Sequence, residues 1–235
     1  MDLLFEIQEF VRDLGDEAIA RQSQRFFKTG KGEYGEGDVF LGIRVPVLRQ
    51  LAKKYQAISL QEAAQLLKST FHEERLLALF LLVNNFGKAS SEDKLTIFNL
   101  YLNNTKYINN WDLIDNSAEH IVGAYLYSRD KQPLYQLARS KDLWERRIAI
   151  LSTFYYIKKN EFTDAIKISE ILVFDDEDLI HKAVGWMLRE ISKRDITVAE
   201  KFLMRYYRNM PRTMLRYAIE KLPESERLAY LNGTR

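Results

Sequence analysis

The chain has no cysteine, which excludes disulfides and thiolate metal sites. Proline is scarce, four in 235 residues, so little interrupts a helical pattern. No segment approaches the roughly 20 apolar residues that span a bilayer. The opening "MDLLFEIQEFV" carries acids inside a short apolar pattern and lacks the basic start and continuous apolar run of a signal peptide. A soluble, cytoplasmic protein without a membrane partner is expected. Charge of one sign is missing too: the net charge is +2. The distribution is less even. From Lys182 to Lys221 the acids are only Glu190, Asp195, Glu200 and Glu220 among ten lysines and arginines. That asymmetry suits a polyanion partner or solvated helix faces equally well. The three histidines, His72, His120 and His181, have no metal-ligand spacing. His72-Glu73-Glu74 and Glu119-His120 read most simply as helix-surface groups. No serine nucleophile elbow or lysine motif appears, and neither a metal nor a cofactor is expected.

What is present is helical periodicity. "EERLLALFLLVNNF", "SEDKLTIFNLYL", "WDLIDNSAEHIVGAYLY", "LWERRIAILSTFYYIKK", "LIHKAVGWMLREISKR", "TVAEKFLMRYYRNM" and "RTMLRYAIEKL" place apolar residues at i, i+3, i+4 and i+7. Pro211 stands where a helix can begin. "SSED", "SKD" and "DDED" put acids or hydroxyls in first turns, where they cap. Three helices, starting near residues 73, 144 and 180, share a charged start, a small residue in the middle and a basic end. Helix pairs of about 40 residues mark HEAT-like arrays, which stack into a curved solenoid with a concave face. One all-α domain over residues 1–235 is expected.

The main non-helical stretch covers residues 28–49. It holds a literal G-x-G-x-x-G at Gly30, Gly32 and Gly35. A nucleotide loop needs that pattern between a strand and a helix. Here a helix precedes it, and Glu33, Glu36 and Asp38 would repel a pyrophosphate. An ordered loop with glycines at positive φ is the better reading, with Tyr34 on whatever surface the loop covers.

"NNWDLID", residues 109–115, sets Trp111 and Asp115 one turn apart, so both lie on one helical face. A ring beside a carboxylate suits core packing at a helix end or a small site for a cation. Trp144 reads as core; Trp186 lies one turn from Lys182 and Arg189. Arg146 and Arg147 diverge by about 100° on a helix, so at most one points into the stack.

Taken in order, "FLGIRVPVLRQL" (40–51), "WDLID" (111–115), "LWERRIAIL" (143–151), "HKAVGWMLRE" (181–190) and "RTMLRYAIEKL" (212–222) resemble the AlkD-type DNA glycosylases of the DNA alkylation repair family. The resemblance implies a HEAT-like solenoid with a concave groove for duplex DNA, and excision of cationic bases such as 3-methyladenine and 7-methylguanine. It implies Asp115 as the catalytic carboxylate, Trp111 and Trp186 as aromatics flanking the lesion's backbone, and Arg147 as a DNA contact. Lys182, Arg189 and Arg212 join the phosphate-holding set. The expected partner is double-stranded DNA carrying alkylated bases, met by a monomer, which in a bacterium would associate with the nucleoid. One position departs from the pattern. Some members carry a tyrosine after an arginine where "RFFK" puts Phe26, which keeps the ring and loses the hydroxyl; Tyr34 is the candidate substitute. The alternative implied by related groups is a non-catalytic module that binds DNA structures or a protein.

The chemistry is self-consistent. Glycosidic hydrolysis passes through an oxocarbenium-like sugar, ordinarily with two carboxyl groups. A cationic purine leaves as a neutral base and needs no general acid. One carboxylate can stabilise the sugar cation and position water, and flanking rings add attraction for the developing charge. Such a site selects for cationic lesions.

Overall fold

The structure, a computed structural model, describes residues 3–235; the first two residues of the expected domain lie outside that range. Its secondary structure is helical throughout, and among the described residues the only β pairing is an isolated parallel bridge between Val39 and Phe71. Two compact units contain the chain, Met1–Ile121 and Val122–Arg235.

The first unit comprises α1 (Leu3–Asp13), α2 (Glu17–Phe26), α3 (Val45–Lys54), α4 (Leu60–Leu66), α5 (His72–Lys88), α6 (Ser91–Leu102) and α7 (Trp111–Asp115). Its centre is α5, packed against α3, α4, α6 and α7. Leu76, Leu77, Leu79, Leu81 and Leu82 are all buried, so the middle of this helix is apolar nearly all round, as a central helix must be. Each such leucine contributes about 1.5–3 kcal/mol by leaving water.

The second unit comprises α8 (Ala124–Leu126), α9 (Gln132–Leu137), α10 (Leu143–Ser152), α11 (Phe154–Ile157), α12 (Thr163–Leu172), α13 (Asp178–Ser192), α14 (Ile196–Tyr206), α15 (Arg212–Ala218) and α16 (Glu224–Asn232). Here α13 is central, packed on α10, α11, α12, α14 and α15. Ile180, Ala183, Val184, Met187, Leu188 and Ile191 form its buried stripe. Gly185 sets the approach of α15: a Cβ there would lie 2.5 Å from both the Met214 carbonyl oxygen and Tyr217 Cβ.

Two of the three expected caps form; at "DDED" the residue before α13, Glu177, makes no side-chain cap bond, and Asp175 accepts from the Glu177 amide instead. Ser90 accepts from the Asp93 amide, and Asp142 accepts from the Trp144 and Glu145 amides. Pro211 precedes α15. Two expected helices are broken, and for the same reason. After Asp115 the α-helix ends, because Asn116 Nδ2 donates to the Asp112 carbonyl and Ser117 Oγ donates to that of Leu113; a π-helical turn, Glu119–Gly123, follows. After Ser152 the helix is interrupted where Ser152 and Thr153 hydroxyls donate to the carbonyls of Ile148 and Ile150. Short polar side chains that bond nearby backbone compete with helix continuation.

The loop joining α2 to α3 is ordered, and it ends at Arg44 because α3 starts at Val45. Of its G-x-G-x-x-G triad only Gly32 has positive φ, with Gly37 and Gly42 the further cases. Its own acids occupy the amides that a phosphate would need: Glu33 accepts from the Gly30 N–H and Glu36 from that of Gly32.

Candidate active site

Asn110 precedes α7 with extended backbone, and its Oδ1 accepts from the Trp111 amide at 2.8 Å. The helix is five residues long, too short to persist on backbone bonds alone, and polar contacts hold it at both ends. Trp111 opens it and Asp115 closes it, one turn apart on one face. Both are half-buried. At its end Arg49 Nη2 donates to Asn116 Oδ1 at 2.7 Å, the guanidinium lying 4.5 Å from the Phe80 ring. Beneath it the Tyr101 hydroxyl donates to Ser117 Oγ at 2.9 Å, since that oxygen's own proton goes to Leu113. Burial, with the charge of Asp115 adding to it, pushes the Tyr101 hydroxyl well above the usual phenol range.

Trp111 ends a ladder of rings. Phe27 stacks on it at 5.3 Å, Phe40 on Phe27 at 5.0 Å, and His72 on Phe40 at 4.4 Å. Phe26 meets Trp111 edge-on at 5.9 Å and is 63% exposed. The position that departs from the tyrosine pattern therefore lies directly on the tryptophan. Phe26 also lines a 260 Å³ cavity with Ile19, Gln22, Ser23 and Arg44. Tyr34 is half-buried in the loop, with Lys28 Nζ 5.9 Å from its ring.

The surface reading of His72-Glu73-Glu74 is wrong. All three are buried, as is Arg75, and each meets a partner distant in the chain. Glu73 accepts from the amides of Leu41, Gly42 and Ile43, clamping the loop's end. Glu74 accepts from Arg12 and Gln8. His72 Nδ1 lies 2.7 Å from Asp38 Oδ2 and Nε2 lies 2.8 Å from Asp112 Oδ2. Arg75 donates to the other Asp38 oxygen at 2.7 Å. A carboxylate can only accept, so both ring nitrogens must donate and the ring is imidazolium. Burial alone would lower its pKa; Asp112 and Asp38 outweigh burial and raise it to about 9. For Asp38, burial is outweighed by His72 and Arg75, which hold the carboxyl below its usual range. Glu119 is buried as well, with His120 exposed beside it.

The remaining expected residues belong to the second unit. Trp144 is buried, as a core residue should be. Trp186 is half-buried with Phe154 at 5.6 Å. Neither member of the arginine pair is a plain surface group. Arg147 is 4% exposed and donates to the Leu179 carbonyl at 2.6 Å, whereas Arg146 makes a forked contact with Asp175. Several bases of the Lys182–Lys221 stretch are neutralised locally. Lys182 pairs with Asp178, Arg189 with Glu220, Lys193 and Arg194 with Glu190. Arg212 donates to the Leu231 carbonyl.

Asp38, Arg49 and His72 were not among the sequence-derived site residues. Asp38 and Asp112 lie 34 and 40 residues from His72, and no local pattern joins them.

A family model described as DNA alkylation repair enzyme matches residues 7–222. No curated protein matches the chain. Among solved structures it is similar to a "Predicted DNA alkylation repair enzyme from Enterococcus faecalis", with 19% identity, a TM-score of 0.68, and coverage of 89% of this chain and 97% of that one. AlkD2 from Streptococcus mutans follows at 18% identity and a TM-score of 0.55, covering 88% and 98%. The protein smu.31 from Streptococcus mutans UA159 has 19% identity and a TM-score of 0.52, covering 86% and 94%. These likenesses establish a shared helical repeat fold.

Proposed function

The chain belongs to the DNA alkylation repair enzyme family, and from that premise we propose that it is a monofunctional DNA glycosylase that hydrolyses the N-glycosidic bond of cationic alkylated purines in duplex DNA. The observation that carries the reading is Asp115 one turn from Trp111 on a helix stapled at both ends, with the Phe26 ring against the tryptophan. A half-buried carboxylate beside an aromatic wall offers what the departing base leaves behind, a sugar with growing positive charge, a fixed counter-charge and a π face. 3-Methyladenine and 7-methylguanine leave as neutral bases, so a single carboxylate suffices where ordinary glycosidases use two. In this reading Asp115 stabilises the sugar cation and positions water, and Trp111 and Trp186 flank the lesion's backbone. Phe26, Tyr34, Arg147, Lys182, Arg189 and Arg212 contribute DNA contacts.

The test is release of 3-methyladenine and 7-methylguanine from methylated duplex DNA by purified protein. Release above the buffer control is expected, and Asp115→Asn should slow it by roughly 100-fold or more while the helical signal and Tm persist. No release at high enzyme excess would sink the proposal. One observation favours a second reading, a non-catalytic DNA-binding module: Phe26 offers the tryptophan a ring without a hydroxyl. Tight, salt-dependent DNA binding without base release would mark that case.

A further inference from the structure

The buried cluster under α7 has more structure than packing requires. Asp38 comes from the loop after α2, His72 and Arg75 from the first turn of α5, and Asp112 from α7 itself. Two carboxylates face two cations, so the cluster is neutral only while the imidazole carries both protons. Asp112 Oδ1 is buried with no hydrogen-bond partner among the described residues, so the compensation of its charge runs through Oδ2 and His72. The ring that supplies it is stacked on Phe40, and through Phe27 the stack continues to Trp111. One imidazolium thus touches the α7 assembly twice: by charge at Asp112, beside Trp111, and by ring contact at Trp111's own stacking partner.

Resting on the glycosylase reading above, we propose that His72 is a positioning residue for the reaction, its doubly protonated ring holding α7 so that Trp111 and Asp115 keep their places at the lesion. His72 does not meet the reacting atoms; it acts through Asp112 and the ring ladder. Loss of the second proton would set a lone pair against one of the two carboxylates, and α7, only five residues long, has little of its own to resist the shift. The charged groups that face the ring are Asp38 from the loop and Asp112 from α7, with Arg75 of α5 behind Asp38; the Phe27 and Phe40 rings line its faces. Misplacement of a reacting group by about 1 Å costs about 100-fold in rate, so a small movement of α7 is enough to be read.

The experiment uses full-length protein labelled with 5-fluorotryptophan. The three ¹⁹F resonances are assigned by Trp111→Phe, Trp144→Phe and Trp186→Phe. They are followed from pH 7 to pH 10.5 in the unsubstituted sequence, in His72→Gln and in Asp38→Asn. Single-turnover base release and affinity for methylated duplex are measured in parallel. The Trp111 resonance should move with a midpoint near pH 9, while those of Trp144 and Trp186 stay put across that midpoint. His72→Gln should abolish the midpoint and lower the single-turnover rate at least about tenfold, with affinity within about threefold of the unsubstituted protein. A Trp111 resonance that ignores both pH and His72→Gln overturns the inference. So does a His72→Gln rate that falls only in proportion to the folded fraction. The pH titration runs in the unsubstituted sequence, with the tryptophan substitutions serving only for assignment, so a poorly folding His72→Gln leaves it decisive. If the unsubstituted protein releases no base, the glycosylase reading falls by itself, and the ¹⁹F titration still decides whether His72 governs Trp111.

Discussion

Trp111 and Trp186 are both half-buried tryptophans beside a phenylalanine, yet they are mounted in different ways. Trp186 rides on a fifteen-residue helix whose apolar stripe does the fixing. Its immediate neighbour Gly185 packs directly on the backbone of α15. Trp111 sits on five residues held by Asn110, Asn116, Ser117 and the Asp112–His72 contact. The difference has a physical basis. A long helix gains enough from burial to hold its own register, whereas one of little more than a turn does not and must borrow rigidity from hydrogen bonds and charge. Ionic mounting is specific and brittle: it places a side chain accurately while every partner is present and fails when one is removed.

The comparison breaks most visibly at His72. Removing it by His72→Ala leaves Asp112 buried and uncompensated, which costs about 3–5 kcal/mol. The corresponding removal in the second unit, Lys182→Ala, opens a half-exposed i,i+4 pair with Asp178 and should cost no more than about 0.5 kcal/mol. Urea unfolding of the two variants checks this; similar losses would show that the cluster is no more coupled than a surface pair. Next comes pH. The folded pKa of His72 is about 9, above its ordinary 6.5. Its contribution is therefore fully present below pH 6.5 and is lost as pH rises through 9. At most about 3 kcal/mol is at stake, read as a fall in Tm between pH 7 and pH 10 that His72→Gln should lack. Gly185→Ala follows, since its methyl meets the Met214 carbonyl and Tyr217 with no room to spare. Overpacking there should cost about 1–3 kcal/mol, with no change in the surroundings of Trp111.

These contrasts also explain what could be read from the sequence. The helices that fill both units follow apolar spacing, a local property, and α5, α6, α13, α14 and α15 occur where periodicity expects them. The shared face of Trp111 and Asp115 was legible for the same reason. The break after Asp115 was not, because Asn116 and Ser117 are compatible with a helix by spacing and end it only through their side-chain bonds. His72-Glu73-Glu74 looked solvated because a run of polar residues at a helix start usually is. What buries it is a loop and two helices contributing Asp38, Arg12 and Asp112. Pairings across tens of residues have no periodic signature.

The smallest effect tests the two caps. Asp142 accepts from the amides of both Trp144 and Glu145, the second and third residues of its helix, so Asp142→Ala should cost about 1 kcal/mol. The Asn110 side chain accepts from the amide immediately after it, and its Nδ2 is buried without a partner among the described residues. Asn110→Ser keeps a short acceptor and removes that donor. The gain from losing a buried unpaired N–H then offsets the lost packing, and stability should stay within about 0.5 kcal/mol of the starting value by urea unfolding. A loss of 2 kcal/mol or more, as about 2 would follow from stranding a buried polar group, would mean that the amide of Asn110 has a role of its own in seating α7. The ionic mounting of Trp111 would then extend one residue further towards the N-terminus than Asp112.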